Sequence, residues 1–191
     1  MKIIGISGKK QSGKDTIYRV ARDIFTELDP KVRVGRVAYA DAVKAEVSEI
    51  TGFRTDYIEE NKDRFRALLQ VWGTEFRREF HGYDYWIQKM GDILTSSDPH
   101  YDILFITDVR FKNEAEYIKE MDGQVLRVVR RAPETYRTLQ DMPELDNHAT
   151  ENDMDDYIDY DYTINNDKSP DDLVKSVRDM LATLGLLENA A

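Results

Sequence analysis

The chain has no cysteine among its 191 residues, which excludes disulfides, thiolate metal sites and a cysteine nucleophile. No apolar run approaches the roughly 20 residues that a membrane-spanning helix needs. The start lacks the block pattern of a signal peptide, and neither internal repeats nor low-complexity segments occur. A soluble, cytoplasmic protein with no membrane partner is therefore expected. At this length one domain with a full core is expected as well. Basic excess is also missing: 27 Lys and Arg stand against 37 Asp and Glu, a net charge of −10. From Asp141 to Asp172 there are twelve acidic residues and one basic residue, Lys168, so the remaining 25 acidic and 26 basic residues nearly balance. Nucleic-acid binding relies on phosphate neutralisation by Lys and Arg, so a nucleic-acid partner is not expected. The acidic stretch reads as a solvated surface.

Against these absences stands one strong local motif. The apolar run Ile3-Ile4-Gly5-Ile6 leads into Gly8-Lys9-Lys10-Gln11-Ser12-Gly13-Lys14-Asp15-Thr16. A glycine, four residues and then Gly-Lys is the spacing of a phosphate-binding P-loop. Glycines at Gly8 and Gly13 allow backbone conformations closed to residues with a Cβ, so successive N–H groups can turn inward around a phosphate. Lys14 would reach the terminal phosphates, and the following helix would aim its positive end at the same anion. One departure is that Asp15 stands where Ser or Thr is common, with Thr16 next. A glycine-rich turn that binds nothing is the bland alternative; the strand before the motif and the helical Thr16–Leu28 after it favour nucleoside triphosphate binding.

Strand-like and helix-like periodicities then alternate. Strands are expected at Lys2–Ile6, Arg33–Ala40, Asp102–Thr107, Gln124–Val129 and Asp159–Ile164. Helices are expected at Thr16–Leu28, Asp41–Ile50, Asp63–Phe80, Tyr83 to about Leu94, Asn113–Met121 and after Ser169-Pro170-Asp171-Asp172. That last start has an N-cap serine, proline at the first position and acids in the first turn. This order predicts an α/β fold, a parallel five-stranded sheet with helices on both faces. Ligands of such sheets bind at the carboxyl ends of the strands.

Three clusters lie where that rule points. Asp108, at the tip of the Asp102–Thr107 strand, resembles a carboxylate that holds Mg²⁺ or orients a substrate, and Arg110 offers a planar fork for phosphate. An Asp capping the next helix and an Arg paired on the surface are the ordinary alternatives. In Asp63–Phe80, residues Phe65, Leu68, Leu69, Trp72, Phe76 and Phe80 share one side, which predicts the core face. Arg66, Gln70, Gly73 and Arg77 run along its edge, as a phosphate-admitting stripe or as ordinary snorkelling arginines. A helical glycine costs about 1 kcal/mol relative to alanine, so Gly73 suggests close packing against something. The third cluster is Arg127, Arg130, Arg131 and Arg137 around the end of the Gln124–Val129 strand. Arg127 alternates with apolar neighbours and reads as solvent-facing, while Arg130 suits a lid that closes over transferring phosphates. The segment from about 130 to 151, with Pro133, Pro143 and few apolar residues, is expected to be that lid.

Several blocks together resemble the phage-type deoxynucleoside monophosphate kinases. They are Gly8–Thr16 with its Gly-Lys-Asp-Thr ending, Arg66-Ala67-Leu68-Leu69-Gln70-Val71-Trp72-Gly73-Thr74-Glu75, and Asp84-Tyr85-Trp86. Further blocks are Asp108-Val109-Arg110 with Asn113-Glu114, Val128-Val129-Arg130, His148-Ala149-Thr150-Glu151, and Ile164-Asn165-Asn166-Asp167. They follow the family's order and cover most of the chain; Thr51–Lys62 and Ala132–Asn147 carry little resemblance. The resemblance implies a nucleoside monophosphate kinase-like P-loop fold that moves the γ-phosphate of ATP, with Mg²⁺, to a deoxynucleoside 5′-monophosphate. It implies cofactor binding by Gly8, Lys10, Gln11, Ser12, Gly13, Lys14, Asp15, Thr16 and Asn165, with Asp15 and Asp108 near the metal. An acceptor-binding segment of about 41–95 is implied, with Arg66, Gln70, Gly73, Thr74, Arg77, Trp86, Asp108, Arg110 and Glu114 at the acceptor. Lys14, Arg110 and Arg130 would neutralise the moving phosphoryl group. Gln11 stands where some relatives are basic. Trp86 has helical spacing with Met90, Ile93 and Leu94, so packing rivals base stacking, and His148 reads as a surface residue or a local cap. A homodimer is left open, and the compartment becomes a host's cytoplasm if the chain is phage-encoded. Competing readings are another small-molecule P-loop kinase resembling dephospho-coenzyme A kinase, a hydrolytic P-loop NTPase, and a nucleotide-binding module without catalysis.

Overall fold

The computed structural model describes residues 1–96, 101–131 and 148–187. Five parallel strands form one sheet in the order β2-β3-β1-β4-β5, with β1 Lys2–Ser7, β2 Val34–Val37, β3 Ile103–Val109, β4 Gln124–Val129 and β5 Tyr162–Asn165. Central β1 pairs Lys2 with Ile103 and Ile4 with Phe105 on one side, and Ile4 with Gln124 and Ile6 with Leu126 on the other. Both faces of the inner strands are covered, which is why they read as apolar runs rather than alternations.

On one face, α1 (Lys14–Leu28) sets Ile17, Ala21, Ile24 and Phe25 against Ile4, Phe105 and Leu126, and α9 (Pro170–Thr183) adds Leu173, Val177, Met180 and Leu181. The opposite face carries α2 (Tyr39–Thr51), α6 (Tyr85–Ser96) and α7 (Lys112–Glu120), whose Tyr39, Trp86, Met90, Ala115 and Ile118 pack on Ile3, Ile106 and Val125. Ser169 caps α9 as expected, its hydroxyl accepting from the Asp172 N–H at 3.2 Å with Pro170 at the helix start. A further short helix, α3 (Thr55–Glu60), fills the stretch before α4 (Lys62–Gln70), where the sequence carried no clear signal.

Three expectations need correction. Strand β2 ends at Val37, short of Ala40, because Tyr39 and Ala40 already open α2 with their N–H groups donated to Asp108. The long helix after Lys62 is not α-helical throughout: Val71–Arg78 forms a π-helical stretch before α5 (Glu79–His81). A π-helix has more residues per turn, which rotates the later side chains out of the 3.6-residue register. The expected core face is displaced there, with Phe76 and Phe80 exposed and Gly73 and Arg78 buried; in α4, ahead of that stretch, Leu68 is exposed and Gln70 buried as well. Lastly, the acidic stretch is not merely a solvated surface. Asp161 accepts from the Val125 N–H at 2.6 Å, and Asp153 from the Lys112 N–H at 2.8 Å, so two of its carboxylates fasten β4 and the start of α7.

Candidate active site

The P-loop forms at the carboxyl end of β1. Gly13 sits at φ +101°, a conformation L side chains rarely adopt, and its missing Cβ leaves room for the Asn166 carboxamide. At Gly8 a Cβ would lie 2.6 Å from the Val128 carbonyl oxygen, so glycine lets the loop run against β4. Gln11 adopts φ +60° without being glycine and is exposed, as is Lys10. Lys14 donates to the Gly8 carbonyl at 2.6 Å and the Lys9 carbonyl at 3.0 Å, which folds its ammonium over the loop. Burial lowers its pKa to about 8, and the neighbouring positive charge of Arg110 adds to that, against the raising fields of Glu151, Asp108 and Asp15. Asp15 points outward, 3.7 Å from Arg36, and Thr16 meets Arg19 at 3.5 Å.

Asp108 lies within β3, which runs two residues past the expected Thr107 end. Its two oxygens accept from the Tyr39 and Ala40 N–H groups, each at 2.8 Å, so it caps α2 from across the sheet rather than capping the next helix. Burial raises its pKa, opposed by those two N–H groups and by Arg110. Glu114 is almost fully buried and does cap locally, accepting from the Arg110 N–H at 2.8 Å and the Phe111 N–H at 3.1 Å. Its other oxygen is paired with Arg78, whose guanidinium stacks 3.8 Å over the Phe111 ring and donates to the Tyr83 carbonyl at 2.9 Å. Burial pushes the Glu114 carboxyl up to about 7 despite the pull of Arg78. Sequence periodicity selected Arg77 and passed over Arg78, because only the π-helical turn brings Arg78 inward.

The acceptor-stripe residues separate into different surroundings. Gln70 is buried and donates to the Thr150 hydroxyl at 3.4 Å. Arg66 and Thr74 are half-buried. Gly73 is buried, yet a Cβ there would meet the Val43 methyls at 3.6 Å and 3.7 Å, an ordinary contact, so protein packing does not require glycine. Trp86 is a core residue, 2% exposed, with its indole N–H donated to the Gly73 carbonyl at 2.7 Å; the packing reading holds for it. Arg77 donates to Glu46 at 2.7 Å beneath the Trp72 and Tyr85 rings, each 4.9 Å from its guanidinium. Glu46 also accepts from Trp72 at 2.9 Å and Tyr85 at 2.5 Å. Against the upward push of desolvation, these donors hold its carboxyl below the ordinary range. Nothing in the sequence marked Glu46, since its partners come from two other helical segments, Val71–Arg78 and α6.

Between the tips of β1, β3 and β4 lies a cleft lined by Gly8, Lys9, Arg110, Arg127, Arg130 and Glu151. Arg127, read as solvent-facing, instead lies 5.5 Å from the Tyr160 ring and borders this cleft; the alternation that suggested otherwise sits on a face covered by residues 148–160. Arg130 and Arg131 are exposed, with the Arg131 N–H bound to Asp167 at 2.6 Å. Asn165 is exposed, and it is Asn166 that donates to the Ser12 carbonyl at 2.9 Å. Asn166 follows the last residue of β5, and its N–H, donated to the Val129 carbonyl at 2.8 Å, carries the β4 pairing one residue further to the P-loop. Most of the expected lid, including Arg137, Pro133 and Pro143, lies outside the described residues. The chain re-enters at His148, which caps α8 (Ala149–Asn152) by accepting from the Thr150 N–H at 3.2 Å and bonds to Glu75 at 2.8 Å.

Chemically, this is an anion cradle beside a cationic cleft. The Ser12 hydroxyl is buried without a hydrogen-bond partner among the described residues, and Arg110 lies close enough to Lys14 for its positive charge to help lower the lysine pKa. A triphosphate fits such a loop. Among the described residues no group of three or more His, Cys, Asp or Glu could hold a metal alone. Mg²⁺ asks for less, being bound through one or two carboxylates plus phosphate oxygens and waters. No described helix is long and apolar enough to cross a membrane.

Comparison with known proteins agrees with this geometry. Over nearly its whole length the chain superposes on a shikimate kinase from Bacteroides thetaiotaomicron with a TM-score of 0.54 at 14% identity, covering 97% of this chain and 99% of that one, which shows a P-loop kinase fold. It is 29% identical over 158 residues to a protein of Acanthamoeba polyphaga mimivirus provisionally named a deoxynucleotide monophosphate kinase, covering 68% of this chain and 75% of that one. It is 28% identical over 181 residues to phosphomevalonate kinase of Drosophila melanogaster, covering 90% and 91%. Residues 24–177 match the deoxynucleotide monophosphate kinase family. The chain therefore belongs to the deoxynucleotide monophosphate kinase family, with the fold of a P-loop kinase.

Proposed function

We propose that this kinase transfers the γ-phosphate of ATP to a deoxynucleoside 5′-monophosphate, giving the diphosphate and ADP. The observation that carries the reading is where the family match falls. It spans 24–177 and so begins after the P-loop. The similarity is therefore independent of the phosphate loop that unrelated NTPases share, and it covers the stretch that holds Gln70, Gly73, Arg110 and α8. An acceptor phosphate oxygen is already a competent nucleophile, so no general base is needed. The work is positioning and charge neutralisation. Lys14 holds the β,γ-phosphates, and Arg110 and Arg130 meet the transferring group from the β3 and β4 tips. Arg66 and Gln70 serve the acceptor, while Glu114 and Trp86 support the site from the core. Bound Mg²⁺ would neutralise phosphate charge, with Asp108 and Asp15 as the nearby oxygen donors.

The Drosophila relative supports a second reading, phosphorylation of phosphomevalonate. Both acceptors are phosphate monoesters, so one cationic cleft could serve either. Incubation with ATP and Mg²⁺ and, separately, each deoxynucleoside monophosphate or phosphomevalonate decides between them. Diphosphate formation from at least one deoxynucleotide, with none from phosphomevalonate, is expected. The reverse pattern overturns the assignment, and ATP hydrolysis unaffected by any acceptor removes both readings.

A further inference from the structure

The block His148-Ala149-Thr150-Glu151 has no part in the chemistry above, yet its position in the fold is specific. Helix α8 touches both halves of the site. Toward the acceptor-binding segment, His148 bonds to Glu75 at 2.8 Å and the Thr150 hydroxyl accepts from Gln70 at 3.4 Å. Toward the P-loop, Lys9 reaches the Glu151 carbonyl, the Asn152 side chain at 3.3 Å and the Asp155 carboxylate at 2.5 Å. In the centre, Arg110 donates one guanidinium nitrogen to the Glu151 carboxylate at 2.7 Å and the Thr150 carbonyl at 3.2 Å.

A carboxylate here is unexpected on electrostatic grounds. The Glu151 side chain is only 10% exposed and borders a cleft otherwise rich in Lys and Arg, where it weakens the attraction for phosphate. What it supplies is orientation. A guanidinium has five N–H donors in a fixed plane, so engaging Nη1 alone sets the direction of the remaining edge. That Nε and Nη2 edge makes no hydrogen bond among the described residues. From this geometry we infer that Glu151 is a positioning residue for phosphoryl transfer: it aims Arg110 into the cleft, and the bonds of His148 and Thr150 to Glu75 and Gln70 tie that aim to the acceptor-binding segment.

The inference rests on the proposed transfer, so its test has one arm that needs no acceptor. In the kinetic arm, Glu151→Gln lowers kcat by ~10- to 100-fold, the scale for misplacing a reacting group by about an ångström. The KM for ATP stays within about twofold, and Glu151→Asp recovers part of the loss. In an Arg110→Ala background the same change costs less than about twofold, because the path through Arg110 is already gone. In the second arm, side-chain ¹⁵N NMR follows the Arg110 guanidinium without substrates, assigned through Arg110→Lys. Slow rotation is expected in the native protein, fast rotation in Glu151→Gln, and an intermediate rate in His148→Ala. If no monophosphate is phosphorylated, the functional reading fails and the NMR arm still decides the role of Glu151. An Arg110 that rotates freely in the native protein, or equal losses from Glu151→Gln with and without Arg110, overturns the inference.

Discussion

Replacing Arg78 with Met removes a buried cation and leaves its partner behind. In the native protein the two side chains are 4% and 2% exposed, and Glu114 accepts from Arg78 and from two N–H groups at 2.8 Å and 3.1 Å. Methionine preserves most of the volume over the Phe111 ring but neutralises nothing. Removing one partner of a buried pair costs about 3–5 kcal/mol, a large part of the ~5–15 kcal/mol that holds a domain together. For a chain of this size that corresponds to a fall in Tm of about 6–20 °C. The pH dependence follows from the remaining carboxyl. Glu114 titrates at about 7 when folded, above its ordinary value of 4.5, so the folded state holds its proton to higher pH than the unfolded chain does. Its contribution is most favourable below the unfolded value and is lost as pH rises through the folded one. Without Arg78 the folded pKa rises further, so the gap between variant and native protein should narrow as pH falls from 8 to 5. Arg78→Met combined with Glu114→Gln, which removes the stranded charge and keeps an acceptor for the two N–H groups, should regain part of the loss. Urea unfolding at both pH values measures all three proteins. A cost under about 1 kcal/mol at pH 8, or a gap independent of pH, would refute the assignment of this pair as a desolvated strut.

Lys14→Met should reduce phosphoryl transfer by at least ~10²-fold, the scale for one preorganised charge-stabilising donor, with an unchanged urea midpoint or a slightly higher one, since it replaces a partly buried cation. A near-normal rate would sink the P-loop role. Because Lys14 titrates near 8 and only its charged form attracts phosphate, affinity for a non-hydrolysable ATP analogue should weaken as pH rises from 7 to 9; a flat calorimetric profile contradicts this. Arg110→Ala should raise the acceptor KM and lower kcat while ATP affinity changes little, and Arg110→Lys should rescue only in part, because a point charge lacks the planar fork. Gly13→Ala should destabilise the protein by about 1–2 kcal/mol, the cost of a side chain in a left-handed conformation, and should displace Asn166 from the loop. Wild-type stability in that variant would show that the loop relaxes freely.

The sequence by itself determined the elements that depend on local interactions. The P-loop spacing, the apolar parallel strands and the Ser169-Pro170 start of α9 are readable because each is set by neighbours a few residues apart, through glycine freedom, continuous burial and capping. What separated from the reading depends on partners far along the chain. The strand order β2-β3-β1-β4-β5 follows from crossovers, and it alone brings Asp108 to the start of α2, some 69 residues earlier. The π-helical turn at Val71–Arg78 departs from the 3.6-residue pattern, burying Arg78 against Glu114 and exposing Phe80. Asn166 rather than Asn165 meets the P-loop, held there by its N–H bond to the Val129 carbonyl of β4, a partner that composition does not show. Glu46, Arg78 and Glu151 belong to the same class. A charged residue buried among distant partners looks like surface charge in sequence, because only tertiary packing supplies the desolvation and counter-charges that define it.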